Sequence, residues 1–378
     1  MATQVLPTLA VKFTCSRDEL ARALALAGRA VSIRATVQIL GGIMLRAENG
    51  QLELAATDME MAIRTSLEVE VEEEGTIVVP GRLLVDIVRL LPAGTITVAY
   101  SVEDGAALLT CGASSYRLNT YAADDFPRLP VITDTALVEL DRETFLETVG
   151  KVSRAASRDE SRPVLTGILV QLEGRTLTMA ATDSYRLSVK ETALPGDAGR
   201  SLEAIVPARA LGEVTRIAQT STAETLRFGA EENQVAFQLD GVSLTARRID
   251  GQFPNYQQLR PESFEAEITL PREEFLDAVR RVGVMAQRNS PLRLRFEEGQ
   301  LTIQAVTHDV GEARESLPIA YGGDVLEIGF NPEFLRDGLD TVSEEDVRLK
   351  LISPLRPGLI TGSGEDFWYL IMPIRLAG

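Results

Sequence analysis

Histidine and cysteine are almost missing from this chain, with one His and two Cys among 378 residues. Cys15 and Cys111 cannot build a disulfide framework, and with His308 they do not make a Cys/His metal centre, so no metal is expected. Aromatic residues are only 5% of the total, with a single Trp, which leaves little from which to build stacking platforms for single-stranded nucleic acid. No stretch reaches the ~20 apolar residues of a membrane helix. The opening MATQVLPTLAVKF lacks the basic region and apolar run of a secretory signal, so a soluble cytoplasmic protein is expected. The motifs GxxxxGK[ST], HExxH and GxSxG are absent. Gly362-Ser363-Gly364 has no later glycine and follows no βα unit, so it reads as a turn, and no cofactor is expected. Basic residues are also in deficit: 38 Lys and Arg face 55 Asp and Glu, a formal net charge of −17. By sign alone that argues against a nucleic-acid partner, because DNA affinity comes from cationic groups displacing counterions.

What the chain does have is ample core material, 45% hydrophobic against 25% charged, and a length that exceeds one hydrophobic core. It also repeats itself. LGGIMLRAENGQLELAATDMEMAIR (40–64), LTGILVQLEGRTLTMAATDSYRLSV (165–189) and LRLRFEEGQLTIQAVTHDVGEAR (292–314) align, and their common threonines Thr57, Thr182 and Thr307 stand 125 residues apart. Before each hairpin lies an amphipathic helix (16–30, 141–156, 271–287). Its apolar residues recur at helical spacing, as in Phe145, Val149 and Val152 or Phe275, Val279 and Val282. Ser16 with Glu19 three residues later reads as a capping box. A second helix follows each hairpin (78–91, 205–218, 329–342), with Pro80 and Pro207 near the first turn, where a missing N–H costs little. Between helices the chain alternates with period two, at Leu67, Val69 and Val71 and at Val347, Leu349 and Leu351, the pattern of half-buried strands. Asn49-Gly50 is a hairpin turn. The reading is an α+β fold of three tandem repeats, each with two helices on antiparallel sheets. The Pro-rich polar stretches 124–134 and 249–262 suggest domains 1–128, 129–256 and 257–378.

Charge is unevenly spread. Five of the six helical segments are net positive and the six together carry +4, leaving −21 on the rest of the chain. The exception is 332–340, where Arg336 faces Glu333, Asp337 and Asp340. A basic stripe inside an acidic whole suits a polyanion held by its backbone, without base readout; solvated helix faces of mixed charge account for the same count equally well. Thr57-Asp58 and Thr182-Asp183 offer carboxylates for a hydrolase, but a recurrent Thr-Asp at a strand end is also an Asx-type turn. His308 replaces the Asp of the other repeats and reads as a turn residue. The second repeat departs from its sisters at Tyr185, Arg186 and Leu187, and the C-terminal FWYLIMPIRLAG, apolar from Trp368 to Ile374, reads as the last strand of repeat three and also as the lining of a groove for a short apolar peptide.

The triple repeat, with ATDSYRL in its middle and YLIMPIRL at its end, resembles the bacterial DNA polymerase III beta subunits, the sliding clamps. The resemblance covers essentially the whole chain. It implies three clamp-fold domains, two chains closed head to tail into a six-domain ring, and a non-catalytic processivity factor. Such a ring encircles double-stranded DNA and tethers the replicative polymerase. A non-encircling scaffold of the same fold and a hydrolase using Asp58 or Asp183 are the alternatives. Carried over residue by residue, the resemblance implies a partner-peptide pocket at Leu165, Thr182, Tyr185, Arg186, Leu187, Pro254, Leu259, Leu370, Met372, Pro373, Ile374, Arg375 and Leu376. Its occupants would be the polymerase, the clamp loader and other proteins bearing a short motif with a Gln and spaced Leu or Phe. The resemblance implies DNA-facing residues at Arg34, Arg158, Arg162 and Arg209, with a departure at Pro163 and Val164, where some relatives carry tyrosines. It implies a homodimer interface pairing residues near 106–118 with Val284, Met285 and 296–305.

Overall fold

The computed structural model describes residues 9–32, 37–130, 133, 137–286, 290–307 and 309–376. Arg34 and His308 lie outside the described residues. Six helices appear where the periodicity places them: α1 Arg17–Ala27, α2 Gly81–Leu90, α3 Arg142–Val152, α4 Ala208–Thr220, α5 Arg272–Gly283 and α6 Pro332–Thr341. Phe145, Val149 and Val152 of α3 and Phe275, Val279 and Val282 of α5 are all buried, as their spacing requires. Pro80, Pro207 and Pro271 each close a strand immediately ahead of a helix, where no backbone donor is missed. The capping box at Ser16 does not form. Its side chain makes no cap bond, and the N–H of Arg17 is satisfied instead by the carbonyl of Gly94 at 2.9 Å, a tertiary partner that replaces the local one. A side-chain cap forms on α6, where Asn331 Oδ1 accepts from the N–H groups of Glu333 and Phe334 at 2.9 and 3.2 Å.

Two compact units emerge, Met1–Arg142 with Gly212–Arg248 and Glu143–Leu211 with Ile249–Gly378. Each contains one eight-stranded antiparallel sheet. In the first unit, four strands of repeat one join four of repeat two where Met61–Glu68 pairs with Val242–Arg247. In the second, repeat two joins repeat three where Arg186–Ala193 pairs with Phe367–Ile371. The repeats therefore share sheets, which removes edges that would otherwise expose unpaired backbone. The first unit adds a five-stranded sheet ending at Ser114–Asn119, and the second a four-stranded sheet ending at Gly311–Pro318. Asn49 and Gly50, at φ 53° and 75°, make the primed hairpin turn expected between Gly42–Glu48 and Gln51–Thr57.

Candidate functional site

The Thr-Asp pairs are turn residues in both repeats that keep the Asp. Thr182 Oγ1 donates to the carbonyl of Arg186 at 2.6 Å and accepts from the N–H of Ser184 at 3.1 Å. Asp183 Oδ1 accepts from the N–H groups of Tyr185 and Arg186 at 2.9 and 3.0 Å. Thr57 and Asp58 make the same four bonds around Met59, Glu60 and Met61. Met59 and Ser184 occupy the left-handed region at φ 76° and 80°, strained for residues with a side chain. The hydrolase reading of Asp58 and Asp183 is overturned: Oδ1 of each carboxylate accepts the turn's own donors, and the second oxygen of Asp183 binds Arg186 Nε at 3.0 Å.

This turn delivers Tyr185 and Arg186 to the start of the strand Arg186–Ala193, which pairs with the C-terminal strand Phe367–Ile371. Leu187 stands opposite Leu370 in that register, and both belong to a cluster with Val189, Tyr256, Leu359 and Trp368. Beyond the strand the chain stays attached. The N–H of Met372 donates to the carbonyl of Tyr185 and that of Ile374 to Gly329, both at 2.8 Å. Leu376 lies where a side chain on residue 329 would sit, within 2.6 Å of the position of a Cβ, so Gly329 is needed for this close approach. Leu165 is buried in the turn Pro163–Thr166. Val164 packs on the cluster. Leu259 ends the short turn Gln257–Leu259, tied by its N–H to Tyr256; Pro254 and Arg375 are exposed.

The expected residues thus separate into two classes. Leu187 (2% exposed) and Leu370 (4%) form the floor, sealed from solvent by their own neighbours, whereas Tyr185 (60%), Leu259 (50%) and Met372 (40%) present apolar surface to water. Sequence reasoning missed Phe334 and Asp337 on α6. The rings of Phe334 and Tyr185 stack with centroids 6.5 Å apart, and the Arg186 guanidinium lies 4.4 Å from the Phe334 ring. Asp337 Oδ2 accepts from Arg186 Nη1 at 2.6 Å. The one signal for them was the acidity of the sixth helix, read there as an anomaly.

Of the basic residues described, Arg158, Arg162 and Arg209 are exposed. Arg162 is engaged locally, its Nε with Asp159 Oδ2 at 3.0 Å and its Nη1 with Ser184 Oγ at 3.1 Å. Hydrogen bonds from Ser161 and from Arg162 hold the Asp159 carboxyl below its ordinary value. Elsewhere Arg89, Arg216 and Arg280 also face carboxylates, at Asp86, Glu213 and Asp277, so the positive charge of these helices is diluted by neighbouring acids. Val284 is 82% exposed beyond the end of α5, and the carbonyl of Met285 accepts from Thr307 Oγ1 at 2.7 Å. No helix among the described residues is long and apolar enough to cross a membrane.

Models of a known protein family match the chain along most of its length. The N-terminal, central and C-terminal domains of the DNA polymerase III beta subunit match residues 11–130, 139–255 and 257–375. A beta sliding clamp of Streptomyces coelicolor is 36% identical over 97% of this chain and 100% of its own length. That of Synechococcus elongatus is 34% identical over 97% of this chain and 100% of its own. The DNA polymerase sliding clamp of Bacillus subtilis superposes with a TM-score of 0.92 at 27% identity, covering 97% of this chain and 100% of its own. A sliding clamp of Pseudomonas aeruginosa, solved bound to griselimycin, superposes with a TM-score of 0.90 at 28% identity, covering 97% and 100% of the two chains. The chain belongs to the bacterial DNA polymerase III beta subunit family, the sliding clamps.

Proposed function

We propose that this protein acts as a DNA sliding clamp, non-catalytic, tethering the replicative polymerase to double-stranded DNA, and that it does so as a head-to-tail dimer of three-domain chains (1–128, 129–256, 257–378) in the cytoplasm. The observation that carries the ring is the use of the strands. Each in-chain junction pairs a strand after the Thr-Asp turn (Met61–Glu68, Arg186–Ala193) with the last strand of the following repeat (Val242–Arg247, Phe367–Ile371). Among the described residues, the two strands in matching places without such a partner are Gly311–Pro318 and Ser114–Asn119, each at the edge of its sheet. Pairing Gly311–Pro318 of one chain with Ser114–Asn119 of another repeats the same junction twice and closes a ring. Exposed Leu108 and Tyr116 beside one edge, and Val306 and Val284 beside the other, supply the apolar surface such an interface buries.

On this reading Arg34, Arg158, Arg162 and Arg209 line the passage and meet phosphate. Local charge stays modest because topology, rather than affinity, retains the ring. The acidic remainder of the chain turns DNA away from every other face. Partner proteins, the polymerase and clamp loader among them, insert a short motif with a Gln and spaced Leu or Phe into the surface around Tyr185, Leu259 and Met372. The anchors gain about 25 cal/mol per Å² of apolar area buried. The assembly is tested by sedimentation equilibrium: the wild type should run at twice the 41.1 kDa chain mass. Arg117→Pro in the edge strand Ser114–Asn119 should yield monomer of unchanged helix content, because proline disrupts strand pairing. A wild-type monomer, or an undiminished proline-variant dimer, contradicts this closure.

A further inference from the structure

Two acids of α6, Asp337 and Asp340, are tied into one line of charges. Asp183 Oδ2 meets Arg186 Nε at 3.0 Å, Arg186 Nη1 meets Asp337 Oδ2 at 2.6 Å, and Asp337 Oδ1 meets Arg154 Nη1 at 3.5 Å. Arg154 then meets Asp340 Oδ2 at 2.8 Å, and Asp340 Oδ1 meets Arg280 Nη2 at 3.0 Å. Carboxylate and guanidinium alternate, so the line is neutral although two of its members, Arg186 and Asp337, are each only 8% exposed. Buried charges persist only when paired and hydrogen-bonded, and each depends on the other's place.

The turn that carries Tyr185 does not need α6 in order to form. The matching turn of repeat one makes the same Thr and Asp bonds and has Met61 where repeat two has Arg186. What repeat two adds is a long-range grip: α6 holds Arg186 by the Asp337 carboxylate and by the face of Phe334. Ser184, at φ 80°, keeps the turn in a conformation that surrounding contacts must stabilise. We propose that Asp337 is a positioning residue of the partner-peptide groove, holding Arg186 so that the adjacent Tyr185 ring stands fixed as a wall of that groove. The assignment rests on the peptide-groove reading above. Asp340, one turn further along α6, binds Arg154 and Arg280 rather than Arg186, and so serves as a control one link further from the Tyr185 turn.

The test is fluorescence anisotropy with a labelled peptide carrying one Gln followed by spaced Leu and Phe, on the intact protein. Asp337→Asn keeps the shape and removes the charge. It should weaken binding about tenfold, the order of a charge-assisted hydrogen bond. Asp340→Asn, the same change on the same helix, reaches the Tyr185 turn only through Arg154 and Asp337, so its loss should be clearly the smaller, within about threefold of wild type. In a Tyr185→Ala background the Asp337→Asn loss should largely disappear, an outcome that general destabilisation would not produce. Undiminished affinity in Asp337→Asn, equal losses in the two Asn variants, or losses that multiply with Tyr185→Ala would overturn the assignment while leaving the groove reading intact. If Asp337→Asn does not fold, Asp337→Glu displaces the carboxylate by one methylene with its charge kept, and wild-type affinity there overturns it equally. A wild-type protein that does not bind the peptide, with Met372→Ala no different, brings down the groove reading and the assignment together.

Discussion

Leu187 and Met372 make a contrasting pair, because the sequence motifs place them in one pocket and the structure gives them different work. Leu187 is 2% exposed and packs in the cluster that contains Trp368. Replacing it with Ala removes three carbon groups, about 2.4 kcal/mol of transfer free energy at ~0.8 per group. The cavity left in a pleated sheet, where Leu370 stands directly opposite, adds to that, for a total of about 2–5 kcal/mol. Met372 is 40% exposed at the rim, so Met372→Ala should cost stability no more than about 1 kcal/mol. Its effect should fall instead on partner-peptide affinity. Thermal unfolding followed by the fluorescence of Trp368, the single tryptophan, reads the first quantity in the relevant cluster; anisotropy with the labelled peptide reads the second. Leu187→Ala should lower the midpoint by about 5–15 °C. Equal midpoint shifts in the two variants, or a Met372→Ala protein that binds peptide as wild type does, would refute the separation into floor and rim.

Three further outcomes follow from local physics. Met59→Gly should leave stability unchanged or raise it by up to about 1 kcal/mol, and Met59→Val should lower it by about 1 kcal/mol or more, since φ is 76° there; denaturant midpoints check both. Burial, reinforced by Glu19, pushes the Cys15 thiol up to about 12, so it should stay unmodified by a thiol reagent at pH 8 in folded protein and react on unfolding. A hydrogen bond from the Lys190 ammonium holds the Asp366 carboxyl below its ordinary 3.8. A carboxyl depressed on folding contributes stability above the unfolded value and loses it as pH falls through the folded one. The midpoint gap between wild type and Asp366→Asn should therefore be full at pH 7 and close only below the ordinary carboxylate range.

Features encoded within a few residues were legible in the sequence. Helical periodicity located all six helices, and Asn49-Gly50 and the Thr-Asp turns took the geometry their chemistry favours. The motifs ATDSYRL and YLIMPIRL, from which the groove is proposed, are neighbours in space, with Arg186 opposite Ile371 and Leu187 opposite Leu370. What the sequence withheld depends on distant partners. Ser16 looked like a cap, but its helix is capped by Gly94. Leu187 and Leu370 read as contact residues, although their burial is set by Tyr256 and Trp368. The acidity of 332–340 made no sense until Arg154, Arg186 and Arg280 were seen against Asp337 and Asp340; Arg186 and Asp337 are 151 residues apart in the chain. Nor does any local pattern say that a strand of one repeat will continue the sheet of the next.

The central claim is that the ring holds DNA by linkage and not by affinity. It is tested most directly by loading the protein onto a nicked circular duplex with its clamp loader, raising the salt until ordinary phosphate contacts are lost, and cutting the circle once. Retention on the intact circle and release after the cut is the predicted result. Equal retention on circle and linear DNA would mean ordinary electrostatic binding by a protein that does not encircle its substrate. Absence from both, with the loader active on another clamp, would favour a scaffold that never closes around DNA.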